Sequence, residues 1–143
     1  QKNISIIRPT LIFGHNDPHN GYGPNKFIRL INNNSNIILF GNGEEKRDHI
    51  WVEDLSKILI YVIRKRVLGK LNATTGIVIS FNEIAKQVKK ISNKNIQIIS
   101  TDRVGKMPHN GYRAFDNSRI YKIIPKFKFR KFSKIIEQII NKY

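Results

Sequence analysis

The chain has 143 residues, with 26 Lys and Arg against 10 Asp and Glu, and a formal charge of +16. That length suits one domain with its own hydrophobic core. It holds no cysteine, which excludes disulfides and thiolate metal sites here, and no apolar run nears the ~20 residues of a membrane helix.

Residues 3–13 are apolar and β-branched, with Pro9 as an interruption. They read as a buried strand followed by its exit. Residues 14–24, GHNDPHNGYGP, read as a long loop, because Gly, Pro, Asn and Asp dominate them. A loop of this length inside a compact domain is more often functional than idle. His15, Asp17 and His19 lie on it, but their spacing matches no fixed metal motif. Residues 26–31 read as a helix with Phe27, Ile28 and Ile31 on one face, ended by residues 32–36.

Residues 41–55, GNGEEKRDHIWVEDL, organise the middle of the chain. Gly41-Asn42-Gly43 is a strong turn signal between short strands at 37–40 and 49–52. Glu53 and Asp54 then suit a helix N-terminus, and Leu55, Ile58, Leu59, Val62 and Ile63 give helical spacing over 53–66. Arg47 stands beside the glycine turn, where a guanidinium can grip a phosphate by two hydrogen bonds. An ion pair with Glu44, Glu45 or Asp48 is the competing account. The first account predicts that Arg47→Ala weakens substrate binding and barely alters folding.

Ser80 and Glu83 form a capping-box pattern, and the helix behind them turns Ile84, Ala85, Val88 and Ile91 inward. Residues 96–100 read as a strand, and 101–114 as a second long loop broken by Gly105, Pro108 and Gly111. Two more helices are predicted at 117–124 and 133–143, the last burying Ile135, Ile136, Ile139 and Ile140.

The charge has two explanations. Phosphate neutralisation would make the chain a nucleic-acid binder. Biased composition is the other: Ile, Lys and Asn are over-used together, and Ile has no part in phosphate binding. The basic residues are densest over 119–134, where Phe127, Phe129 and Phe132 alternate with Lys126, Lys128, Arg130 and Lys131. Such alternation can stack bases, or it can make a short strand with one buried face. A basic module binding nucleic acid or another polyanion is therefore the second reading.

An internal echo links the two long loops. Pro18-His19-Asn20-Gly21-Tyr22 recurs as Pro108-His109-Asn110-Gly111-Tyr112. A shared tight turn would explain Pro, Asn and Gly, but not His and Tyr. His and Tyr carry hydrogen-bonding tips on flat apolar bodies, which suits sugar and base recognition. The two loops are expected to converge on one pocket, with Arg47 and Arg103 near its rim.

Four segments together resemble the extended short-chain dehydrogenase/reductases of the NAD-dependent epimerase/dehydratase group. Residues 41–55 resemble the family's GxGxxxRDxIxVxDL, and Ile7-Arg8-Pro9-Thr10-Leu11-Ile12-Phe13-Gly14 its RxxNVYGP strand end. Residues 71–85 resemble YNIGSGxxVSxxELA, and Phe115-Asp116-Asn117-Ser118-Arg119-Ile120 the late aDisKa segment. The resemblance implies an α/β fold: a single substrate-binding lobe over 1–143, the C-terminal lobe of a Rossmann-type enzyme, with short strands and five helices. Residues 1–13 would be a strand of the parent's Rossmann sheet.

The same resemblance implies NAD(P)-dependent epimerisation, dehydration or reduction of a nucleotide-sugar, in a cytoplasmic parent that is not a membrane protein and forms a homodimer. Arg8 and Pro9 would lie near the nicotinamide of NAD or NADP. Thr10, His19, Asn20, Tyr22, Asn25, Lys26, Phe27, Arg47, Arg103, His109, Asn110 and Tyr112 would hold substrate, the two arginines gripping its diphosphate. Leu11 stands where the family has Asn, which leaves open a different sugar or a non-nucleotide substrate. The glycine-rich dinucleotide loop is absent from these residues, and so is the family's upstream Tyr-x-x-x-Lys. Tyr61 with Lys65, and Tyr22 with Lys26, match that spacing by coincidence, at the wrong place in the order. No catalytic residue is therefore expected here, and the chain, which begins with Gln, is expected to be a fragment that is inactive and blind to NAD alone.

Overall fold

The computed structural model describes residues 3–15 and 17–142. Its elements run β1 (Ser5–Pro9), β2 (Leu11–Phe13), α1 (Pro24–Asn32), β3 (Ile37–Phe40), β4 (Lys46–Trp51), α2 (Val52–Arg64) and β5 (Gly69–Ala73). β6 (Val78–Ser80), α3 (Phe81–Ser92), β7 (Ile98–Thr101), β8 (Tyr112–Arg113), α4 (Ser118–Ile123) and α5 (Phe132–Ile140) follow. A 3-10 turn spans Pro108–Gly111 just before β8. The α/β class and the five helices agree with the sequence reading.

The apolar run at 3–13 is two strands, because Thr10 turns the chain. Its backbone N–H donates to Ala73 O at 3.1 Å and its hydroxyl to Asp48 O at 2.7 Å. β1 therefore pairs with β5 in parallel, while β2 pairs with β4 in parallel. β4 also pairs antiparallel with β6 and parallel with β8, and β3 pairs with β7.

β4 divides the interior into two cores. Side chains alternate along a strand, so Arg47, His49 and Trp51 share one face and Asp48 and Ile50 the other. Trp51 joins the larger core, built from Phe27, Ile28 and Ile31 of α1, Ile84 and Val88 of α3, and Ile135, Ile136 and Ile139 of α5. Ile50 joins the smaller one with Leu55, Ile58 and Val62 of α2, Leu71 and Ala73 of β5, and Ile120 of α4.

Three local expectations are corrected. β1 is not buried: Ile6 is 45% exposed, since α2 and β5 cover only one face and one edge of the strand. The strand expected at 49–52 starts earlier, at Lys46, and yields to α2 at Val52. Residues 126–131 form no strand; Phe127 and Phe129 pack on the smaller core and Phe132 on the larger.

The capping box at α3 is present. Ser80 Oγ accepts from Glu83 N at 3.1 Å, and the Glu83 carboxylate accepts from Ser80 N at 2.7 Å. The bonds that carboxylate accepts from Ser80 N and from the Ser80 hydroxyl hold it below its usual range. The same helix start braces the glycine turn: Asn82 N donates to Gly43 O at 2.9 Å and Phe81 N to Glu45 O at 3.1 Å. Gly43 has φ +68, and a Cβ there would lie 2.8 Å from Asn82 N. Only glycine suits both the conformation and the approach.

Candidate anion-binding site

The glycine turn delivers Glu45 and Arg47 to one edge of the lobe, and the second long loop delivers Arg103. The Arg47 guanidinium bonds the Glu45 carboxylate, donates to Lys46 O at 2.7 Å and donates to Pro108 O at 2.9 Å. Arg103 donates to the other oxygen of Glu45 at 3.0 Å. Glu45 therefore bridges both arginines, and its side chain is only 11% exposed. The ion-pair account of Arg47 is correct in its partner, Glu45, but the pair is buried rather than superficial.

A cavity of about 380 Å³ opens against this cluster, lined by Pro9, Thr10, Leu11, Glu45, Arg47, Pro108, His109, Arg113 and Phe115. The His109 ring faces the Arg113 guanidinium, which sits 5.1 Å from the centroid of Phe115. Two guanidiniums, Arg47 and Arg113, and the Glu45 carboxylate line the cavity, and Arg103 joins the cluster through Glu45, which leaves it cationic. Such a cluster is chemically suited to a phosphate or diphosphate.

The first long loop lies next door. A cavity of about 180 Å³ is lined by Leu11, Asp17, His19, Tyr22, Asn25 and His49 among others, and Leu11 is common to both cavities. Asp17 organises this loop: it accepts from Asn25 Nδ2 at 2.6 Å and from His19 N at 3.0 Å. The Asn25 bond is the main reason its carboxyl is held below its usual range. Arg29 donates to His19 O at 2.6 Å. Tyr22 rests on Phe40 at 4.7 Å and Phe81 at 4.5 Å, its oxygen accepting from Phe40 N at 3.2 Å. Burial pushes its phenol up.

The pentapeptide echo has two conformations. In the second copy His109, Asn110 and Gly111 all have positive φ, at 52, 51 and 77. In the first copy none of the five residues does. A shared turn therefore cannot be why the residues repeat.

The remaining expected site residues scatter. Asn20 and Lys26 line a separate polar groove with Asp17 and Arg29. Phe27 is fully buried in the larger core. Tyr112 is 55% exposed on β8 beside Lys46, and Arg8 is exposed on β1. Arg113, Phe115 and Glu45 line the cavity although the pattern reading did not single them out as binding residues. Arg113 directly follows the second pentapeptide, and that adjacency was the available signal.

His49 sits between Arg47 and Trp51 on the same face of β4. His49 is 6% exposed, neither ring nitrogen has a hydrogen-bond partner among the described residues, and it is ringed by Phe13, Phe81 and Phe132. Burial pushes its pKa down to about 4. On the opposite face Asp48 accepts from Thr74 Oγ1, Thr75 Oγ1, Thr75 N and Gly76 N, at 2.6, 2.9, 3.2 and 2.7 Å. Those bonds fix the strand that carries Arg47.

The family model described as NAD dependent epimerase/dehydratase family matches residues 1–74, the stretch that contains the glycine turn, Glu45, Arg47 and Asp48. The chain belongs to that family. Across 83 residues it is 30% identical to dTDP-D-glucose 4,6-dehydratase of Dictyostelium discoideum, covering 52% of this chain and 19% of that protein. Among solved structures it is similar to a UDP-N-acetylglucosamine 4-epimerase from Methanobrevibacter ruminantium M1 in complex with UDP-N-acetylmuramic acid. That match has a TM-score of 0.82 at 23% identity over 96% of this chain and 44% of the other. A UDP-glucuronic acid 4-epimerase from Bacillus cereus, in complex with UDP-glucuronic acid and NAD, gives 0.81 at 18% identity, over 98% and 46%. These likenesses establish the fold, and the epimerase/dehydratase chain described here spans less than half of each solved relative.

The residues described do not form the pyrophosphate cradle that the family's nicotinamide cofactor needs. That cradle is a glycine-rich turn between a strand and a helix N-terminus. Here β4 runs directly into α2 at Trp51–Val52, and β6 into α3 at Ser80–Phe81, whose N-terminus is already capped by Ser80 and Glu83. Pro9 lines the arginine cavity. Tyr61 donates its hydroxyl to Ile123 O at 3.1 Å, a structural use.

Proposed function

We propose that this chain is the substrate-binding portion of an NAD(P)-dependent epimerase, dehydratase or reductase acting on a nucleotide-sugar, and that it is inactive by itself. The observation that carries the reading is the convergence of Arg47 and Arg103 on Glu45, beside a cavity lined by Glu45, Arg47, His109 and Arg113. Two guanidiniums held side by side match the spacing of oxygens on a diphosphate. Family membership supplies the substrate class. The loops at 14–24 and 101–114 flank Leu11 from two sides, so His19 and Tyr22 would meet a different part of the same ligand from His109.

A Rossmann half would supply NAD or NADP and the proton-transferring Tyr. β1 supports this. Among the described residues it pairs only with β5, so one edge is unpaired. Ile4, Ile6, Leu59, Ile63 and Leu68 are exposed around it, and a groove of about 580 Å³ lies between β1 and α2. An apolar parallel strand with a bare edge is normally covered by further sheet and helices.

The test is steady-state kinetics of the full-length protein on UDP-sugars and dTDP-sugars, with Arg103→Ala as probe. Arg103→Ala should raise KM for the nucleotide-sugar about tenfold or more, since charge-assisted bonds contribute ~1.5–3 kcal/mol. An unchanged KM across all turned-over substrates would sink the assignment.

A further inference from the structure

We infer that Glu45 is an internal anion that occupies the arginine pair in place of the substrate's diphosphate and so sets the affinity of the site. The inference rests on the diphosphate reading above. Glu45 uses one carboxylate oxygen on Arg47 and the other on Arg103, and both arginines are largely buried, with side chains 9% and 18% exposed. A carboxylate spread across two guanidiniums makes the contacts that two oxygens of a diphosphate would make. It is held there by the fold, since the Glu45 carbonyl accepts from Phe81 N at the start of α3.

The guanidiniums keep donors in reserve. Among the described residues, Arg47 has further bonds only to Lys46 O and Pro108 O, and Arg103 only to Phe40 O at 3.4 Å. Arg103 Nε is buried without a partner. Each guanidinium carries five N–H donors, so neither is saturated by its present bonds. A buried donor without a partner gains from any acceptor that reaches it. Glu45 lowers the charge of the pair from two positive to one. An incoming diphosphate must displace the carboxylate or bind beside it against repulsion. In both cases Glu45 opposes binding.

A purely structural Glu45 would act in the opposite sense. It would orient the arginines, and its loss would weaken binding. The sign of the change therefore decides the matter. Calorimetry on the full-length protein, with UDP and inorganic pyrophosphate as probes, compares wild type with Glu45→Gln and Glu45→Asp. Glu45→Gln keeps shape and removes charge, and should tighten both probes about tenfold, the equivalent of 1.4 kcal/mol. Glu45→Asp keeps charge on a shorter arm that cannot span both arginines. It should give a smaller gain, and it carries the test if Glu45→Gln fails to fold. Wild-type binding that neither variant improves overturns the role of Glu45 and leaves the diphosphate reading standing. Failure of all three proteins to bind either probe overturns both.

Discussion

The carboxylate of Asp48 accepts a 2.6 Å hydrogen bond from the hydroxyl of Thr74, tying the centre of β4 to the turn that follows β5. Both residues are buried, Asp48 at 1% and Thr74 at 0% exposure. Thr75 and Gly76 add three more donors to the same carboxylate, and no cation bonds it among the described residues. Hydrogen bonds alone therefore hold this charge in the interior. Asp48→Ala would leave several buried donors unmet, each costing ~1–3 kcal/mol. Urea denaturation should show a loss of at least ~3 kcal/mol. A loss under ~1 kcal/mol would mean that water replaces the carboxylate at little cost.

Arg47→Ala is expected to act twice. Substrate binding should weaken by ~1.5–3 kcal/mol, read as a raised KM. Folding should also suffer, by ~1–3 kcal/mol, because Glu45 and Pro108 O lose a buried donor. The phosphate account of Arg47 by itself expects folding to change little, and burial at 7% exposure is the reason for the revision. A raised KM with an unchanged melting temperature would show that the Glu45 pair is energetically neutral in the fold.

His49 makes stability depend on pH. Its pKa is pushed down to about 4 by burial, from an ordinary 6.5. The unfolded chain thus binds a proton between those values that the folded protein refuses, so stability rises with pH across that window. The contribution is full above pH ~6.5 and is lost as pH falls toward 4, to a total of ~3 kcal/mol. His15 is lowered too, chiefly by burial, and adds to the same slope. Urea melts at pH 7 and pH 4.5 should therefore diverge for wild type, and diverge less for His49→Phe. Equal divergence in both proteins would assign the slope to other groups.

Gly43→Ala tests the junction between the glycine turn and α3. The position combines φ +68 with a backbone nitrogen 2.8 Å from any added Cβ. Strain at a left-handed position costs ~1–3 kcal/mol, and here the neighbour is main chain that cannot rotate away. A thermal melt should show destabilisation of that order, with the Arg47 site loosened because Glu45 hangs from the same turn. Full retention of melting temperature would mean that the turn refolds into another conformation.

Much of the architecture is readable from local pattern. Five helices follow from apolar spacing, the α3 start from Ser80 and Glu83, and the β3–β4 turn from Gly41 and Gly43. Each depends on residues within a few positions of one another, so chain order is sufficient. The family resemblance is readable for the same reason, since its motifs are contiguous. Arg47 and Arg103 were nominated from the chain alone.

What they touch was not readable. Glu44, Glu45 and Asp48 were equivalent partners for Arg47 until the fold turned Glu45 toward it and Asp48 to the far face of β4. The exposure of β1 was hidden as well, because a run rich in Ile reads as buried whether or not anything covers it. The repeated pentapeptide shows the limit most plainly. Identical residues take left-handed backbone at 109–111 and not at 19–21. In the first copy, Asp17 and Arg29 hold the loop; in the second, Arg47 and Arg113 hold it. Local sequence set what each stretch could adopt, and contacts from distant parts of the chain, whose closure no local preference encodes, decided which conformation and which charge pairs it took.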